Sequence, residues 1–96
     1  MNSSNHSSLS SLSHLPGLGP KSLAMLEAAG ITDLNQLQRL GAVAAYLQVK
    51  QQCRQSSLNL LWALEGALTG QHWQTVARQD RLRLLLELER IQAANL

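Results

Sequence analysis

The residues best placed to do chemistry form one run, Leu15-Pro16-Gly17-Leu18-Gly19-Pro20-Lys21-Ser22. It has the form of a helix-hairpin-helix turn. Gly17 and Gly19 are expected to take backbone angles barred to other residues, which lets the chain reverse tightly. Backbone N–H groups at the turn and at the start of the next helix then point outward together. An anion is favoured there by the unpaired donors and by the helix dipole, so a phosphate is the natural ligand. Lys21 adds a point charge and Ser22 a hydroxyl. The predicted contact set is Gly17, Leu18, Gly19, Lys21 and Ser22, and contact with sugar-phosphate implies binding largely independent of base sequence. The same turn also serves as a plain connector between packed helices, and the two readings stand together. Lys21 is the single basic residue in the run, with His14 and Lys50 the nearest that could extend it. DNA-binding hairpins usually carry Ala four residues after the second Gly; here Leu23 holds that place and Ala24 follows.

The other polar residues carry less. His6, His14 and His72 share no ligand spacing with a carboxylate or with Cys53, so neither a metal nor a cofactor is predicted. Cys53 is the only cysteine, which excludes an internal disulfide. No His or other base lies within a turn of it, so it reads as a buried or half-buried thiol. Glu65 sits in a mostly apolar stretch and is expected to be paired. Trp62, Trp73 and Tyr46 read as core anchors. Arg78, Arg81 and Arg83 interleave with Asp80, Glu87 and Glu89, as on a solvated face. Nothing assembles a nucleophile, a base and an oxyanion site, so the chain is not read as an enzyme.

These residues must be positioned by helices. The 96 residues allow one domain, 45% are hydrophobic, and Phe is absent. Leu and Ala must therefore build the core, and both favour helix. The net charge of +2 does not by itself announce a nucleic-acid binder. No apolar run reaches the roughly 18–20 residues of a membrane span. No Lys or Arg precedes position 21, so no secretory signal is read, and a cytoplasmic protein is expected. The polar, Ser-rich residues 1–8 are expected to be a disordered lead-in to a single domain over 9–96.

Punctuation divides that domain. A short helix is expected over about 9–14, stopped by Pro16 and Gly17. A second runs over about 20–29, with Pro20 at its first turn and Gly30 just past its end. Thr32 should cap a third, ended by Gly41, and a fourth spans about 42–53. Ser56 or Ser57 should cap a fifth, about 58–69, ended by Gly70. Its apolar residues cover most of the circumference, with Asn59 and Gly66 marking a polar or bare side, so it should lie at the centre of a bundle. The last helix is expected from about Ala77 to Ala93.

The predicted core comprises Leu18, Leu26, Ile31, Leu34, Leu37, Leu40, Val43, Tyr46 and Leu47 from the first half, with Leu61, Leu64, Leu68, Leu85 and Leu88 from the second. The fold class is all-α, a small bundle of five to six helices with a helix-hairpin-helix element. On the last helix the leucines and Ile91 cover roughly 200° of arc, wider than the roughly 100° stripe a peripheral helix needs. Some of Leu82, Leu84, Leu86 and Ile91 should then stay exposed as a protein interface, for a homodimer or for another partner. Alternatively, the short first helix folds back over them.

Three blocks in order, LPGLGPKS, then GI followed by LGAVAAYL, then LWALEGALTGQHW, resemble the C-terminal domain of the TfoX/Sxy family of bacterial competence regulators. The resemblance runs from about Leu12 to Leu88. Full-length members carry a separate N-terminal domain, whereas Met1 here precedes only a short lead, so a stand-alone C-terminal domain is expected. The resemblance implies a regulatory role in DNA transformation, exerted on transcription, with the cyclic-AMP receptor protein or RNA polymerase as partners. The stretch GPKSLAMLEAAGITDLNQL also resembles the C-terminal domain of the RNA polymerase α subunit, a SAM-like helical fold that touches the DNA backbone through the corresponding hairpin. Two functions follow as expectations: a DNA-contacting regulatory module, and a protein-interaction module that does not bind DNA.

Overall fold

Glycine decides where this chain turns. The computed structural model describes residue 15 and residues 17–94. These form five α-helices and, among the described residues, no strand: α1 Pro20–Ala28, α2 Leu34–Gln52, α3 Leu58–Thr69, α4 Trp73–Gln79 and α5 Arg81–Ala94. The expected lead-in over 1–8 and the helix over 9–14 lie outside the described residues. None of the helices is long and apolar enough to cross a membrane.

Helix α1 starts on Pro20 and ends where Gly30 adopts φ +87°. The Gly30 N–H donates to the Glu27 carbonyl and the Ile31 N–H to the Leu26 carbonyl, at 3.0 and 2.9 Å. This is a Schellman closure, with Leu26 and Ile31 both fully buried as its apolar clasp. The α2 cap is Asp33, one residue later than expected. Its Oδ1 accepts from the Gln36 N–H at 2.8 Å, while the Thr32 N–H donates to Gln36 Oε1 at 3.0 Å. Thr32 thus sits just outside the helix, tied down by the Gln36 side chain in a capping-box manner.

Gly41 breaks α2 internally with φ +81° and ψ 165°, which separates the two helical pieces expected on either side of it. Their shared inner face is built from Leu37, Ala42, Val43, Ala45, Tyr46 and Val49. Helix α3 buries residues almost all round, namely Leu60, Leu61, Trp62, Leu64, Gly66 and Ala67, and packs against α2 on one side and α4 on the other. It is the central helix. Several predicted core leucines, Leu34, Leu40, Leu47, Leu68, Leu85 and Leu88, are only half-buried. Alanines replace them at the centre, where helices approach closely.

Two expectations fail in the last third of the chain. The single helix from Ala77 is instead a pair, α4 and α5, divided at Asp80 (φ −107°, ψ 5°). The Asp80 N–H still donates to the Val76 carbonyl, and its own carbonyl receives the Leu84 N–H, so one residue closes one helix and opens the next. The bend lets Val76 and Leu84 both enter the core, at 0% and 1% exposure. The second failure is Leu84 itself. Expected at a free interface, it is the one buried residue of α5, because α5 lies across α2 as well as α4. Ile91 is half-buried against the same core. Leu82 and Leu86 are the ones left outside.

Candidate nucleic-acid interface

The hairpin run enters the structure through its second half. Gly17 takes φ +86°, a conformation that L side chains rarely adopt, so the turn requires glycine there. Gly19 does not behave as expected. It is the α1 N-cap at φ −84°, ψ 179°, ordinary extended backbone. Between them Leu18 is buried and anchors the turn by its side chain, leaving only its backbone for a ligand. Pro20 follows at the first helical position, and the first helical bond runs from the Leu23 N–H to the Gly19 carbonyl at 3.0 Å. No side chain caps α1. The first-turn N–H groups of Lys21 and Ser22 have no intrahelical acceptor and face the end of the helix. Lys21 is exposed and Ser22 half-buried.

The hairpin forms one wall of a groove of about 360 Å³. Gly17, Lys21, Ser22 and Met25 supply that wall. The opposite wall is the turn into α3, with Ser57 and Asn59, and beyond it Ala63 and Trp73. Ser57 is the α3 N-cap and, like Gly19, makes no side-chain capping bond. Two helix N-termini therefore open on one groove, each with the positive end of its dipole toward it. No carboxylate lines the groove, and Lys21 gives it a positive charge.

The turn behind the second wall is firmly built. Ser56 is buried, and its hydroxyl is placed to bond the Cys53 carbonyl at 2.9 Å and Met25 Sδ at 3.7 Å. Lys50 Nζ donates to the carbonyls of Arg54 and Ser56, at 3.3 and 3.1 Å, and lies 5.8 Å from the centre of the Tyr46 ring. It braces this turn from behind. Neither Lys50 nor Arg54 lines the groove, so the positive charge there is that of Lys21.

Trp73 departs from its expected place in the core. It is 36% exposed and closes the far end of the groove, whereas Trp62 is 3% exposed and packs as expected. Helix α4 begins at Trp73 because His72 caps it, with Nδ1 accepting from the Gln74 N–H at 3.1 Å. Histidine is outside the usual Ser, Thr, Asp and Asn set of caps, so this start is invisible to pattern reading. Sequence reasoning likewise missed Ser57, Asn59 and His72 as neighbours of the hairpin. For His72 alone, the Gly70 stop two residues earlier hinted that α4 would begin so early.

The other predicted site lies on α5. Leu82 and Leu86 are 71% and 56% exposed and flank Arg83, Glu87 and Arg90 in a shallow depression. Arg83 reaches Glu65 of α3 at 2.8 Å and Asp80 at 3.5 Å. The bond to Glu65 raises the Arg83 pKa above its ordinary value, outweighing partial desolvation, so the guanidinium stays charged at every working pH. Glu65 is thus a paired carboxylate, as expected. Cys53 is half-buried, and the described residues contain no cluster of three His, Cys, Asp or Glu able to hold a metal.

Comparison with known proteins adds three findings. The sequence model of the TfoX C-terminal domain matches residues 8–88. The DNA transformation protein TfoX of Haemophilus influenzae is 30% identical over 87 residues, which cover 91% of this chain and 40% of that protein. The chain therefore spans well under half the length of this curated relative. No solved structure matches.

Proposed function

Since the chain belongs to the TfoX C-terminal domain family, we propose that it is a non-enzymatic regulatory module of DNA transformation that contacts the DNA backbone at the hairpin groove. The observation that carries this reading is the convergence of two side-chain-free helix N-termini, those of α1 and α3, on one acid-free groove beside Lys21. Unpaired backbone N–H groups, aligned dipoles and a flexible ammonium suit a phosphate and are indifferent to base identity. The contact set is Gly17, Leu18, Gly19, Lys21 and Ser22, with Leu18 acting through its backbone, and Ser57 and Asn59 join it from α3.

So small a set neutralises few phosphates. With roughly 2–3 neutralised, the log–log salt slope should be about −2 to −3. Fluorescence anisotropy on a random-sequence duplex at low salt measures it. Lys21→Glu should abolish most of the binding, since Lys21 is exposed and its replacement leaves the core untouched. Binding unchanged in that variant would remove the hairpin groove from the account.

A second reading, a protein-interaction module, is favoured by one observation, the exposure of Leu82 and Leu86. By resemblance its partner would be the cyclic-AMP receptor protein or RNA polymerase; a second copy of the chain is the other candidate. Sedimentation of the wild type beside a Leu82→Glu, Leu86→Glu double variant tests self-association. A monomer in both cases excludes the homodimer.

A further inference from the structure

We propose that Trp73 is a stacking platform for an unpaired nucleobase, so that the hairpin groove takes single-stranded nucleic acid as well as duplex backbone. The inference rests on the phosphate-contact reading of the same groove and deepens it. Its basis is the placement of the indole. A Trp on a small domain with no Phe would normally be spent on the core, as Trp62 is. Trp73 instead stands between two open cavities. One is the hairpin groove, and the other, of about 420 Å³, is lined by Gly70, Gln71 and His72. Gly17, Ala63 and Trp73 are common to both. Each is large enough for a flat heterocycle, at the lower end of the range for small-molecule sites.

The surroundings of the indole are chemically selective. The His72 ring is stacked against it, with centroids 6.0 Å apart and planes 28° from parallel, so the imidazole backs the indole from one side. His72 Nδ1 accepts a backbone N–H, which places the neutral ring's proton on the outward Nε2 as a donor. Asn59 and Gln71 contribute amides able to serve any base edge. Neither cavity is lined by a carboxylate, and Lys21 lies in the first. An aromatic face beside a cation, with neutral hydrogen-bonding groups and no acid, is the recurring composition of sequence-tolerant single-strand sites. Duplex DNA keeps its bases stacked on one another and cannot use the indole. Trp73 should therefore separate the two kinds of substrate.

The full chain is titrated with an oligothymidylate of about 12 nucleotides and with a duplex of the same length, within the site sizes typical of single-strand binders. Tryptophan emission reports the contact directly, because buried Trp62 is shielded from quenching. Emission should fall as the oligothymidylate binds. Trp73→Ala should weaken oligothymidylate binding by about 5- to 100-fold and duplex binding by a clearly smaller factor, and Trp73→Phe should recover much of the oligothymidylate loss. Equal weakening of both substrates would make Trp73 a scaffold of the groove and overturn the stacking. So would an unchanged oligothymidylate affinity in Trp73→Ala. In either case, loss of duplex binding in Lys21→Glu leaves the phosphate reading standing. If Lys21→Glu also has no effect, both readings fall.

Discussion

Gly66 offers the sharpest test of how the groove is held in place. It lies in the middle of α3, where exchanging glycine for alanine ordinarily stabilises a helix by about 1 kcal/mol. Here the sign should reverse. A Cβ on Gly66 would sit 2.5 Å from the backbone oxygen of Gln71 and 3.4 Å from the Trp73 nitrogen. The first distance is nearly 1 Å short of ordinary contact, and backbone must move to relieve it. The segment that has to move is the Gly70 closure, whose N–H groups at Gly70 and Gln71 both donate to the Gly66 carbonyl. Overpacking of this kind costs about 1–3 kcal/mol, and weakening a closure bond adds about 1 kcal/mol. Set against the propensity gain, Gly66→Ala should destabilise by about 2 kcal/mol. For a domain of this size that lowers Tm by roughly 8–16 °C. Thermal unfolding followed by circular dichroism reads it. The same displacement moves Trp73, so oligothymidylate affinity measured well below Tm should fall as well. A rise in Tm would refute the close approach of the α3–α4 turn to α3, and with it the fixed position of the groove wall.

Gly41→Ala should also destabilise despite its mid-helix position, by about 1–3 kcal/mol, because φ +81° with ψ 165° is a conformation essentially confined to glycine; a chemical denaturation midpoint that rises would contradict the kink. Leu84→Ala should cost about 2–5 kcal/mol, whereas Leu82→Ala should stay within about 0.5 kcal/mol, and equal effects in urea titrations would show that α5 is rotated from the orientation described. Asp33→Ala should cost about 1 kcal/mol through loss of the α2 cap, with Asp33→Asn nearly neutral, as measured by thermal unfolding. Arg83→Met should shift stability by no more than about 1 kcal/mol, since the pair with Glu65 is partly solvent-screened; because the Glu65 hydrogen bond raises the Arg83 pKa above its ordinary value, the guanidinium's share is fully present below that ordinary value and is lost only as pH rises through the folded one, so thermal unfolding across neutral pH should show no step from it.

Much of the fold was legible because glycine writes its own punctuation. Gly30, Gly41 and Gly70 all mark real interruptions, and all take positive φ. The all-round apolar surface of 58–69 identified the central helix, and the bare spot at Gly66 proved to be where the chain folds back upon it. The division at Asp80 was not legible, since the residue is neither Gly nor Pro and the hydrogen bonds on both sides remain helical. Periodicity also gave the width of the apolar arc on α5 but not which edge would be covered. That depends on how α5 crosses α2, and it put Leu84 inside while leaving Leu82 and Leu86 out. The same limit applies to the site. The turn residues Gly17 to Ser22 announce themselves locally, but Ser57, Asn59 and Trp73 join them only through tertiary packing.

The central claim is that DNA meets this domain at the hairpin groove. Titration of the isotopically labelled chain with a short duplex, followed by amide chemical shifts, tests it residue by residue. The account predicts that the largest changes fall on Gly17, Gly19, Lys21 and Ser22, together with Ser57 and Asn59 across the groove, and that they diminish with added salt. Changes confined to α5 around Leu82 and Leu86, or none in the groove at saturating duplex, would contradict it.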